Sequence, residues 1–266
     1  PTQPTVLVRR YGGTLQFNIA TAEESVVHLD AASVLPEDDK NPLFGRVEEQ
    51  VDIFNRLKKG QRMVTILGSP GAGKTRLAEA IVEEASAKKY FPGGVIFRKW
   101  ASCQSPLEAL ADLAQAMGLP FGPIESPAQV IKALGKMMSF REPTLVVLDN
   151  LEHLSPLIGK ALDQLFRLAP RVGFVLTSRK RLMAQAEHVV RLAPLPDMHG
   201  VKLFLHRARM LGHDVTEERS IVEALVARLE GSPLAILMVS SRIGTMGLEG
   251  LRDWAATQLL ERVHVL

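Results

Sequence analysis

From residue 44 to about residue 195, short apolar runs alternate with longer stretches in which apolar positions recur every three or four residues. The runs lie at 63–67, 95–97, 145–148, 172–177 and 189–192, and the helical spacing at 74–88, 106–117, 128–138 and 156–168, with Gly118 as a stop for the second. A strand that is apolar along its whole length must be covered on both faces. The intervening helices supply that cover and the crossovers that parallel strands need. The pattern predicts an α/β fold built on a doubly wound, mainly parallel sheet. After Pro194 and Pro196 the strand-like runs end, and helical spacing continues at 201–211, 217–230, 233–246 and 248–262, which predicts a small all-helical domain. Asp197 and Thr216 stand where N-caps are expected.

Residues 1–43 follow neither rhythm. Val6, Leu7 and Val8, then Leu15, Phe17 and Ile19, flank Gly12 and Gly13 and read as a β-hairpin. The polar stretch 36–42, with proline at both ends, reads as a linker. The expected organisation is a hairpin-like extension and linker over 1–43, an α/β core over 44–195 and a helical domain over 196–266.

Composition narrows the class. Hydrophobic residues make up 46% and charged residues 23%, enough apolar material for a sizeable core. The formal net charge is only +3, and the basic residues are spread along the chain, so direct nucleic-acid binding is not expected of this segment. Arg179, Lys180 and Arg181 form the densest basic cluster, which on its own reads as a solvated loop. The single cysteine, Cys103, excludes an internal disulfide and a cysteine-based metal cage, and is expected to be free and buried. No apolar run approaches the roughly 18 residues of a membrane span, so the chain reads as cytoplasmic with no membrane partner. It opens on Pro1 and stops inside a helical pattern, which reads as a piece of a longer protein.

The chemistry is concentrated at Gly68-Ser69-Pro70-Gly71-Ala72-Gly73-Lys74-Thr75, a full match to the phosphate-loop pattern G-x-x-x-x-G-K-[ST], set between an expected strand and an expected helix. Inward-facing backbone N–H groups can cradle phosphates only where side chains are small and, at some positions, φ is positive. Gly68, Gly71, Ala72 and Gly73 meet that need. The helix starting near Lys74 points its positive end at the anion. Lys74 supplies a cation for the β and γ phosphates, and the Thr75 hydroxyl is a hard oxygen ligand suited to Mg²⁺. Ser69 and the following Arg76 complete the expected nucleotide-binding set. ATP or ADP with Mg²⁺ is the implied ligand.

The run 144–149 is an apolar strand ending in Asp149, placed as a Mg²⁺-holding acid would be, on a strand expected beside that of the phosphate loop. Asn150 follows and cannot accept a proton as a general base. Glu152 is the nearest substitute, and it reads equally well as a surface residue of the turn. The run 172–177 delivers Thr177, Ser178 and Arg179 at its carboxyl end, where Arg179 is placed to sense a γ-phosphate through its guanidinium fork.

Taken in order, these pieces resemble the STAND class, the signal-transduction ATPases with numerous domains. These are relatives of AAA+ proteins with a nucleotide-binding module of the NB-ARC or AP-ATPase kind, found among others in bacterial transcriptional regulators. The resemblance covers residues 41–266. It is carried by the hydrophobic-Gly-Arg-x-x-Glu pattern of 43–49, the phosphate loop, Val147-Leu-Asp-Asn-Leu-Glu-His153, Leu176-Thr-Ser-Arg179 and Gly231-Ser-Pro-Leu-Ala235. It implies that Phe44 and Arg46 lie against the adenine side, that Pro233 of a helical lid closes over the base, that 192–196 joins core to lid, and that Arg179 senses the γ-phosphate. Seen apart from the resemblance, Pro233 simply starts a helix after Gly231. The family often has a second acid where Asn150 stands, although bacterial regulator branches commonly carry Asn; the family also usually continues into a winged-helix domain and a repeat sensor.

The sequence therefore reads as a P-loop regulatory module. ADP held between core and lid favours a closed resting state, ATP favours an open state that self-associates, hydrolysis is slow, and signalling or effector domains of a longer chain are its partners. The alternative is an AAA+ motor or loader with rapid turnover on DNA or protein, which needs a general base that Asn150 does not provide. A DNA-binding regulator using 1–43 as a winged hairpin ranks last, because that segment has neither a recognition helix nor a basic cluster.

Overall fold

The computed structural model describes residues 7–11, 14–18, 42–119, 126–154 and 157–262. The turn at Gly12 and Gly13, Val6 and Ile19, the linker except Pro42, and Pro156 lie outside the described residues. Strands β1 (Leu7–Tyr11) and β2 (Thr14–Asn18) pair antiparallel with Tyr11 opposite Thr14, as a hairpin requires. There follow α1 (Val47–Lys58), β3 (Met63–Leu67), α2 (Lys74–Ala87), β4 (Val95–Lys99), α3 (Pro106–Ala116), α4 (Pro127–Phe140), β5 (Thr144–Asp149), α5 (Leu157–Leu168), β6 (Val172–Ser178) and β7 (His188–Arg191). The chain ends in α6 (Asp197–Met210), α7 (Arg219–Arg228), α8 (Pro233–Ser240) and α9 (Ile243–Arg262). From residue 42 onward the chain forms two compact units, one of 53–67 and 78–190, the other of 42–52, 68–77 and 191–262.

The first unit carries the sheet, in the order β4-β5-β6-β3-β7, and every pairing is parallel. This is the doubly wound α/β fold that the apolar runs predict. One expectation about it is corrected: β5, which ends in Asp149, does not lie beside β3, because β6 is interposed. Burial explains the order. Strands β5 and β6 are buried at every position and need a neighbour on each side, whereas β4 ends in the less buried Arg98 and Lys99 and tolerates an edge. Helices α3 and α4 start where they do because the Ser105 and Ser126 hydroxyls accept the Glu108 and Gln129 N–H groups, each with Pro as the first helical residue. Their apolar faces place Leu110, Leu113, Leu134 and Met138 in a core with Trp100 and Phe174. Each such buried side chain contributes about 1.5–3 kcal/mol.

The second unit gathers α6 to α9 around Phe204, Val222, Leu225, Val226, Ile236, Val239 and Leu251. Here the capping expectations are corrected. Asp197 is already helical, behind Pro196, and places its charge in the first turn instead of capping. Thr216 closes a local turn, its N–H on Asp214 Oδ1 at 3.1 Å, and α7 begins at Arg219 without a side-chain cap. The helical pattern 233–246 breaks after Ser240, where the Ser240 and Ser241 hydroxyls both donate to Leu237 O, at 3.1 and 2.7 Å, and compete with the ladder. No single helix among the described residues is long and apolar enough to cross a membrane.

Cys103 is free and buried in the first unit. Burial first, then the Asp112 and Glu108 carboxylates, push its thiol up to about 11, with Arg98 opposing. A thiol raised this far stays protonated at neutral pH, so native protein at pH 8 is expected to resist maleimide and to react once denaturant is added. Mass spectrometry of the alkylated chain reads the difference. Prompt native labelling would place Cys103 outside the core.

Candidate nucleotide-binding site

The sequence-predicted site residues fall into two groups, one in each unit. In the second unit the chain leaves β3 at Leu67 and turns through residues 68–73 into α2, the turn held by Ala72 N–H on Ser69 O at 3.2 Å. Gly71 and Gly73 have φ of +74° and +89°. At Gly71 a side chain is excluded twice, since a Cβ there would also lie 2.5 Å from Leu234 Cβ. Lys74 is 9% exposed, and its Nζ donates to Gly68 O and Ser69 O, each at 2.9 Å. The ammonium is therefore stationed inside the loop before any ligand arrives. Thr75 and Arg76 follow in the first turn of α2.

The helical segment of the same unit rests on this loop. Ser232 caps α8, with its hydroxyl accepting Ala235 N–H at 3.4 Å, and Pro233 is the first helical residue. Pro233 comes within 4.0 Å of where a Gly73 Cβ would stand, and Leu234 N–H donates to Gly71 O at 3.3 Å. Arg46, 3% exposed, spans three segments, pairing with Glu49 at 2.8 Å and donating to Ala193 O at 2.6 Å and Ala72 O at 3.3 Å. Its guanidinium is thus engaged by backbone carbonyls. Phe44 packs its ring against His206, with centroids 5.5 Å apart, beside the helical core.

In the first unit the turn after β5 is bound to the end of β6. Asp149 is 4% exposed, and its Oδ1 accepts the Thr177 hydroxyl at 2.5 Å. Asn150 takes φ of +72°, which Asn tolerates better than most residues, and its N–H donates to the same hydroxyl at 2.9 Å. Glu152 and Arg179 form an ion pair, Nε to Oε1 at 2.6 Å, with Glu152 mostly buried and Arg179 half exposed. Glu152 Oε2 is buried and has no hydrogen-bond partner. In the sequence Thr177 and Leu234 stand out only as members of motifs. Their bonds to Asp149 and Gly71 depend on spatial neighbours, which no local spacing reveals.

Residues 42–177 match the AAA ATPase domain family. An uncharacterised protein of Mycobacterium tuberculosis is 30% identical over 222 residues, which is 79% of this chain and 53% of that protein. A second protein of the same species, provisionally named an HTH-type transcriptional regulator, is 31% identical over 200 residues, 72% of this chain and 22% of the regulator. The chain thus spans about half the length of the first and about a fifth of the second. Among solved structures, Cdc6p from Pyrobaculum aerophilum shares the fold, with a TM-score of 0.61 at 15% identity over 85% of this chain and 66% of its own. The family match takes in the phosphate loop, the strand ending in Asp149 and the strand that reaches Thr177, and it carries nucleotide binding with it: this chain belongs to the AAA ATPase domain family.

Proposed function

We propose that the chain is the nucleotide-controlled switch of a STAND-type regulator, with residues 44–195 as its core and 196–266 as its lid. It binds ATP or ADP with Mg²⁺, hydrolyses ATP slowly, rests closed with ADP and becomes competent for self-association with ATP. The observation that carries this reading is the Leu234 N–H on Gly71 O, because it joins the helical segment directly to the phosphate loop. A ligand shifts a conformational equilibrium only through contacts that differ between states. A loop whose carbonyl is held by the lid supplies such a contact. Kinship with a provisionally named transcriptional regulator supports a regulatory setting.

The loop amides and Lys74 hold the phosphates, and Phe44, Arg46 and Pro233 serve the base side, Arg46 by shaping the loop. Asp149 and Thr75 are hard oxygen donors of the kind that would hold Mg²⁺. The cation, when bound, would neutralise charge on the phosphates. Arg179 distinguishes ATP from ADP. Its side chain is half exposed and within reach of solvent, so a phosphate can compete with the Glu152 carboxylate for the guanidinium, against the cost of leaving that mostly buried carboxylate without its partner. Arg179→Ala is expected to leave ADP affinity nearly unchanged and to weaken ATP binding. Calorimetric dissociation constants for both nucleotides decide it. A uniform loss would make Arg179 a general anchor and remove the sensing step.

A further inference from the structure

Thr177 is fully buried near the end of β6, the strand interposed between the Asp149 strand and the phosphate-loop strand. Its hydroxyl has one proton to donate and lone pairs to accept. The partners fix which goes where. Asn150 N–H can only donate, at 2.9 Å, so the hydroxyl must turn its own proton to Asp149 Oδ1 at 2.5 Å, an oxygen that can only accept when ionised. The Thr177 carbonyl accepts Leu151 N–H at 3.1 Å. The side chain and backbone of Thr177 thus tie residues 149–151 to the neighbouring strand, alongside the Trp100 N–H that the Asp149 carbonyl accepts at 2.9 Å. A β-branched residue is stiff at χ1, so this hydroxyl is aimed by its own covalent geometry.

A carboxylate held this way loses its torsional freedom before any ligand arrives. We infer that Thr177 is a positioning residue for the divalent cation that accompanies the nucleotide, holding the Asp149 carboxylate in the orientation that serves the metal. This rests on the nucleotide-binding reading above. A partner that orients a ligating carboxylate typically changes metal affinity by about 10–100-fold when removed. A merely structural threonine would instead weaken binding with and without metal alike.

Thr177→Val keeps the shape and the β-branch and removes both hydroxyl bonds. ADP affinity is measured by calorimetry in Mg²⁺ and in chelator, for wild type, Thr177→Val, Thr177→Ser, Asp149→Asn and the double variant Asp149→Asn/Thr177→Val. The gain in affinity that Mg²⁺ brings is expected to fall by about tenfold or more in Thr177→Val, with affinity in chelator unchanged, and to return in Thr177→Ser. The double variant should lose no more than Asp149→Asn alone. Equal losses in both conditions, or an undiminished Mg²⁺ gain, would overturn the inference. If Thr177→Val does not fold, Thr177→Cys, of similar size and a weak donor, is read by the same contrast. Failure of the wild type to bind ADP at all would overturn the nucleotide-binding reading, and this inference with it.

Discussion

Lys74→Ala is expected to lower affinity for ADP and ATP by tenfold or more, about 1.4 kcal/mol at the least, with the fold intact. The side chain is nearly buried, and its ammonium already lies 2.9 Å from two loop carbonyls, so no rotamer search precedes contact with a phosphate. That same arrangement limits the effect. A phosphate that takes the ammonium displaces carbonyl partners, and the net gain is the difference between a charge–charge bond and a charge–dipole bond. Lys74→Met separates charge from packing, because it keeps the apolar stem. Calorimetry with each nucleotide, alongside thermal unfolding of the apo chains, is the measurement. Unchanged affinity in both variants would mean that the loop does not hold the phosphates.

The phosphate loop was legible because its chemistry lies in consecutive residues and its context, strand before and helix after, is equally local. The strands were legible for a related reason: fully buried strands are written as unbroken apolar runs, and β3 begins and ends where its run does. Strand β4 is longer than its run because Arg98 and Lys99 continue it on a less buried edge, where charge is tolerated. Strand order was not legible. Crossover lengths permit β4 to neighbour β3 or to lie at the far edge, and the difference appears only when burial on both sides of β5 and β6 is satisfied. Helix α1 was missed because Val47 and Val51 are 62% and 52% exposed and only Ile53 and Phe54 are buried. Its signal was electrostatic, with Glu48 and Glu49 in the first turn and Arg56 and Lys58 in the last.

The same division runs through the site. Motif spacing singles out Asp149, Arg179 and Glu152 as candidates but not what binds them, because Thr177 and Asp149 are 28 positions apart, as Arg179 and Glu152 are 27 apart. Family resemblance put Arg46 on the adenine side. In the structure its guanidinium is engaged by Ala72 O and Ala193 O, contacts that only the fold brings together.

Turnover is the remaining expectation. The chain is expected to bind ATP and hydrolyse it far below the roughly 1–100 per second of efficient phosphoryl-transfer enzymes. Asn150 offers no proton acceptor, and an arginine finger from a neighbouring copy, worth about 10³–10⁵ in rate, is absent from a dilute single chain. Glu152 is the candidate base, yet its Oε1 holds Arg179 at 2.6 Å, and only the buried Oε2 lacks a hydrogen-bond partner. These two jobs predict different behaviour. If Glu152 chiefly restrains the sensor, Glu152→Gln weakens the pair, releases Arg179 and raises the preference for ATP over ADP by about fivefold or more, with slow turnover almost unchanged. If Glu152 is the base, the same variant leaves both affinities alone and lowers single-turnover hydrolysis by about 10²–10⁴-fold. The ion pair observed in the structure favours the first outcome, which is the expected one. Single-turnover hydrolysis and paired ATP and ADP titrations on wild type and Glu152→Gln separate the two. Rapid multiple turnover by the dilute wild-type chain would sink the switch, because a nucleotide consumed that fast cannot hold a state long enough to report it.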